Sequence, residues 1–262
     1  MNFRSFALAA LAAAVVPAQA AISVSSTSFV YSQSFDTLAA SGTANPWVND
    51  STLVGWSLYN SLLAAPATYV ADNGASNSGA FRSFGATGSS DRALGGVASG
   101  GAYFGSPPSG AAAGWIVVGF TNDTGSTITS FTLSYDGEQW RNGGNTSAQT
   151  MFVDWGFGAT YSGATFSSST LGFTSPVTGS VAAAVDGNGI GRVAGAGGTV
   201  VTTWAPGQTL WLRFNEFNDV GNDHGLGIDN FAFSVTAVPE PGTLAMLLAG
   251  IATVGFVARR RG

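Results

Sequence analysis

Cysteine and lysine are both missing from this 262-residue chain, and histidine occurs once. Without cysteine there is no disulfide scaffold, no thiolate metal site and no cysteine nucleophile. A single imidazole rules out the multi-histidine zinc sites. Charge is scarce as well, at 9% of residues, and all nine bases are arginine. What is plentiful is glycine, 37 residues, beside 45% hydrophobic residues, which is enough for a packed core. Between Ala21 and Ala237 five arginines (Arg82, Arg92, Arg141, Arg192 and Arg213) stand against thirteen acids, a net charge of −8. An acidic body without a basic cluster repels phosphate backbones, so nucleic acid is not an expected partner.

The two ends read as addresses. Residues 1–20 carry Arg4, an apolar run from Phe6 to Val16, and then Pro17-Ala18-Gln19-Ala20. A cationic start, a short apolar stretch and an A-x-A step make a secretory signal peptide, cleaved after Ala20. The other end runs Pro239-Glu240-Pro241, an apolar segment over 243–258, and Arg259-Arg260-Arg261. As a helix that segment is about 24 Å long, slightly short of a full span, and snorkelling arginines extend it. The positive-inside rule keeps the arginines cytoplasmic and puts the body outside the inner membrane.

Taken in order, Pro239, Glu240 and Pro241, a helix, and Arg259, Arg260 and Arg261 closely resemble the PEP-CTERM sorting signal, here spanning 238–262. That family occurs in Gram-negative bacteria that make exopolysaccharide. Its members are cut by an exosortase near the Pro-Glu-Pro and then released or transferred. The resemblance therefore implies an exosortase and the inner membrane as partners, and the envelope or extracellular matrix as destination. The same tail is sometimes labelled the ice-binding protein C-terminal domain, a label that implies no ice activity. The chain has no regular Thr-x-Thr ladder to form an ice-binding face.

Residues 21–237 show period-two alternation. Phe131, Leu133 and Tyr135 share one face, as do Met151, Val153, Trp155 and Phe157. Leu210, Leu212 and Phe214 point one way, and Trp211 and Arg213 the other. Phe231, Phe233 and Val235 continue the pattern, but Ile228 is out of phase with Phe231, which predicts a bulge at Asp229-Asn230. Clusters such as Asn142-Gly143-Gly144-Asn145 and Asn222-Asp223-His224-Gly225 mark turns between the strands. The expected fold is all-β, a single jelly-roll-like β-sandwich with no internal boundary, flanked by the signal peptide and a C-terminal transmembrane helix. The segments Gly137–Gly143 and Asn222–Phe231, with the ending Gly-Ile-Asp-Asn-Phe-Ala-Phe-Ser-Val, look like parts of jelly-roll carbohydrate-binding modules.

Candidate chemistry is sparse. Trp140 beside Arg141, ahead of an Asn-Gly-Gly turn, is a candidate sugar platform through stacking and hydrogen bonding; the alternative is a core Trp140 with Arg141 paired inside. Asp219, Asn222 and Asp223, with Asp229 close behind, offer oxygens for a structural calcium ion, and Asx-turn chemistry competes for the same side chains. A hydrolase would need two carboxylates drawn from Glu138, Glu216 or the aspartates, and the sandwich-fold glycosidase array is absent. His224 lacks a nucleophile elbow and reads as a loop lock. The expected protein is thus an exported, non-catalytic structural or glycan-binding component, with extracellular polysaccharide as partner. The alternative is a glycan-active hydrolase, and the surroundings of Glu138 separate the two.

Overall fold

The computed structural model describes residues 21–237; the segments read as a signal peptide over 1–20 and as a sorting tail with a transmembrane helix over 238–262 lie outside them. The first seven strands are β1 (Ile22–Val24), β2 (Val30–Gln33), β3 (Asn45–Pro46), β4 (Trp56–Asn60), β5 (Thr68–Asp72), β6 (Ala80–Phe84) and β7 (Ala93–Val97). Then come β8 (Ala112–Asn122), β9 (Ile128–Asn142), β10 (Thr150–Phe157), β11 (Thr165–Ser168) and β12 (Phe173–Thr174). The last are β13 (Ala183–Ala184), β14 (Arg192–Trp204), β15 (Thr209–Phe217) and β16 (Gly225–Ala237). Helix among the described residues is confined to two 3₁₀ turns, Ala102–Phe104 and Tyr161–Gly163, and none is long and apolar enough to cross a membrane.

The strands form two sheets. Sheet I runs β1-β8-β15-β10-β11, with β4 also on β8 and β12 on β10. Sheet II runs β13-β9-β16-β7-β6-β5-β3, with β14 also on β9 and β2 on β16. Only β1–β8 and β5–β6 pair in parallel. The alternation read from the sequence sets which side of each strand is dry. Ile116, Val118 and Phe120 of β8 and Leu210, Leu212 and Phe214 of β15 meet Phe131, Leu133, Tyr135, Phe231 and Phe233 of sheet II in one core. Phe120 stacks on Phe233 at 3.9 Å, and Tyr135 meets Phe214 edge-on at 5.1 Å. Inner faces of two sheets interdigitating in this way make a β-sandwich, as expected.

The phase break is a bulge. Register between β16 and β9 shifts between Asp229 and Ala232, and Asn230 sits at φ +50°. Asparagine tolerates this left-handed conformation better than most residues because its short amide can bond locally. Here the Asn230 amide donates to Asp136 Oδ2 at 3.0 Å.

Candidate functional site

Trp140 is not an exposed platform. It is 2% exposed, its indole N–H donates to Glu138 Oε2 at 2.7 Å, and it lies parallel to Phe84 at 6.2 Å. Gly187 closes over the ring, so tightly that a Cβ there would overlap it. Successive residues of a strand face opposite ways. Arg141 accordingly turns elsewhere, donating from Nη1 to the carbonyls of Gly74 and Ala75 at 3.0 and 2.9 Å. The pair shares no surface, which corrects the expectation of a joint sugar contact.

The proposed calcium ligands are likewise divided. Asp223 Oδ1 accepts from the Asp219 N–H at 2.7 Å, a bond back across four residues that closes the loop and competes with metal binding. The backbone of that loop is held from outside, with Asn145 donating to the carbonyls of Val220 and Asn222. Asp229 lies on β16 opposite Asp136, with Glu138 and Asp91 as electrostatic neighbours. The set Asp219, Asn222, Asp223 and Asp229 is therefore not one site. Among the described residues no group of three or more acidic, histidine or cysteine side chains is arranged to hold a metal ion. His224 is buried, with Nδ1 accepting from the Gly143 N–H at 3.0 Å, a loop lock.

The carboxyl groups named for hydrolysis are buried. Glu138 and Asp229 are both pushed up to about 7, chiefly by burial and further by acidic neighbours. Glu216, 3% exposed, is driven well above the ordinary range by burial, with Asp223 and Asp219 adding to it; its Oε1 has no partner.

A surface the sequence reading missed lies on the outer face of sheet I. Tyr59 on β4 pairs with Trp115 on β8, Trp115 with Asn215 on β15, and Asn215 with Phe152 on β10. These four make one rung across four strands, about 14 Å long at the usual strand spacing. Trp115 Nε1 donates to Asn215 Oδ1 at 2.8 Å, and the Asn215 amide donates to Asp154 Oδ2 at 3.2 Å. The next rung carries Arg213, which donates to Asp154 at 2.9 Å and stands 4.0 Å above the Phe166 ring. Phe152 is 48% exposed, Tyr59, Trp115, Phe166 and Phe217 are half-buried, and Phe217 meets Phe152 edge-on at 5.6 Å. Tyr161, from the turn after β10, stacks on Tyr59 at 4.7 Å and covers one end. The result is a strip of aromatic rings interleaved with an oriented amide, carboxylate and guanidinium.

Comparison with known proteins places the tail. The PEP-CTERM protein-sorting motif matches residues 237–261, a stretch that holds Pro239-Glu240-Pro241 and Arg259-Arg260-Arg261. The chain carries a PEP-CTERM sorting signal. Such a signal implies export in a Gram-negative bacterium, a membrane-anchored stage and recognition by an exosortase. No curated protein matches the chain. A solved structure similar to it is the CBM22-1 xylan-binding domain from Paenibacillus barcinonensis Xyn10C, at 9% identity and a TM-score of 0.39. The match covers 82% of this chain and 99% of that one.

The missed residues had a signal. Gly114-Trp115-Ile116-Val117-Val118-Gly119-Phe120 is apolar on both faces of its strand. A strand that is apolar on its outer face as well leaves a sheet surface that invites a ligand or a covering layer.

Proposed function

We propose that the processed protein is a non-catalytic glycan-binding component of the cell envelope or extracellular matrix, which holds polysaccharide on the outer face of sheet I. The observation that carries this reading is the rung Tyr59–Trp115–Asn215–Phe152. Sugar rings have apolar C–H faces that stack on aromatic rings and hydroxyl groups that need donors and acceptors beside them. The strip supplies the aromatic faces, and the partly exposed Arg213 and Asp154 supply the polar edge, held in place by the buried amide of Asn215. A body of net charge −8 favours a neutral polymer over a strongly anionic one. The sorting signal supports the same reading as far as it implies export.

The test is affinity electrophoresis of the full chain in a sugar-free detergent, through gels holding neutral polysaccharides such as xylan, glucan and mannan. At least one retards the wild type, and Trp115→Ala and Phe152→Ala each weaken that binding about tenfold or more, the scale of about 1.4 kcal/mol. Retardation by none of them, or equal retardation of wild type and variants, contradicts the proposal. The hydrolase reading keeps one favourable observation: among the described residues the ion pairs of Arg82, Arg192 and Arg213 go to Asp72, Asp136 and Asp154, not to Glu138. Its burial beneath Trp140 and its distance in the fold from the aromatic strip favour the binding role. Release of reducing ends from the retained polysaccharide, lost in Glu138→Gln, would establish the hydrolase instead.

A further inference from the structure

A second site of different character lies at the loop end of the sandwich. There a cavity of 360 Å³ opens where β7 and β9 end and the segment 218–223 crosses. Its polar wall is made by Asn77, Ser99, Arg141, Asn218, Asn222 and Asp223, and no aromatic ring lines it. Arg141 is 7% exposed; its Nη1 is engaged by two carbonyls, but its buried Nε has no acceptor. Asp223 has one oxygen on the Asp219 N–H and the other unengaged. Asn218 donates to the Pro107 carbonyl at 3.0 Å, with its amide nitrogen beside Gly100 in the wall. Behind the wall at Val97 and Ala98, Glu216 lies against Gly96 with Oε1 unpartnered.

This chemistry selects a ligand class. Three amides and a hydroxyl are each both donor and acceptor, as the hydroxyl groups of a sugar are. A planar base would find nothing to stack on, and an anion would meet Asp223 with Asp219 and Glu216 close by. A bare cation would meet Arg141. The volume is near the lower end of ligand pockets, which run roughly 300–1,000 Å³, so it suits a single ring and not a chain. Phe217, at the end of the aromatic strip, is followed directly by Asn218 in the cavity wall.

We propose that this cavity binds one neutral monosaccharide unit, hydrogen-bonded by the polar wall of Asn77, Ser99, Asn218 and Asn222 and by the Asp223 carboxylate. The proposal rests on the glycan-binding reading for the class of ligand, but not for the place where it binds.

The experiment is calorimetric titration of the full chain, in sugar-free detergent, with glucose, galactose, mannose and xylose separately. At least one binds with a millimolar dissociation constant, and Asn77→Ala and Asp223→Asn each weaken it about tenfold. Ala182→Trp, which plugs the cavity from an exposed position, abolishes it without lowering the melting temperature. Phe152→Ala, which damages the strip, leaves it unchanged. Silence from all four sugars, or binding that survives Ala182→Trp, overturns the cavity proposal. So does an Asp223-dependent titration by calcium chloride or by glycine with no response to sugars, which would mark a cation or zwitterion site. Polysaccharide retardation that still depends on Trp115 would show that only the cavity proposal had failed.

Discussion

Glu138, Asp229 and Asp223 are held near 7 mainly by burial, far above free carboxyl groups. In the window from about pH 4 to 7 the folded chain therefore retains protons that the unfolded chain has lost. By linkage, stability falls as pH rises through that window and remains low above it. His224, lowered by burial, works in the opposite direction below its ordinary value, one group against five, since burial raises Glu216 and Asp219 as well. Burial also acts against ionised Asp136, but hydrogen bonds from Arg192, Asn230 and Gly195 outweigh it and hold the group low, so its loss is felt only in stronger acid. The melting temperature should rise by several degrees on going from pH 8 to pH 5. Glu138→Gln keeps an oxygen for the Trp140 N–H, and should raise stability at pH 8 and flatten the profile. A melting temperature that is flat or falls on acidification would show that these carboxyl groups are not buried as described.

At the scale of the element, the bulge in β16 has a price set by one residue. Asn230→Ala puts a Cβ without a polar end into the left-handed region and removes the bond to Asp136. The two effects together cost about 1–2 kcal/mol. For a domain of this size that lowers the melting temperature by about 3–6 °C, while Asn230→Gly loses only the bond and falls less. Equal melting of wild type and Asn230→Ala would contradict the bulge. This feature was legible in the sequence, because Ile228 and Phe231 cannot share a face in an unbroken strand. So were the core faces of β9, β10, β15 and β16, whose apolar residues alternate. The exposure of Trp140 and Arg141 was not legible. Every residue from Tyr135 to Gly143 is buried, polar ones included. The cover comes from distant segments, around Gly74, Val177 and Gly187, that no local pattern announces. The four-residue calcium set failed for a related reason: Asp229 is near Asp223 in sequence but has already entered the sheet.

For the molecule as a whole, the two sheets divide the work. Sheet II carries buried polar groups under loops, including Arg82 paired with Asp72 and Arg92 bonded to Ser83. Sheet I buries Val117, Trp211 and Tyr161 on its outer face and leaves Phe152 exposed beside the half-buried Tyr59, Trp115, Phe166 and Phe217. The sorting signal implies that the body is exported. Hydroxyl-radical footprinting of the full chain, with and without a polysaccharide that retards it, tests the central claim most directly. Oxidation of Trp115, Phe152 and Phe217 should fall several-fold on binding, while that of Val181 and Ile190, exposed on loops away from the strip, stays as it was. Unchanged oxidation of all three aromatics, with protection elsewhere, would place the glycan on another surface and contradict the account.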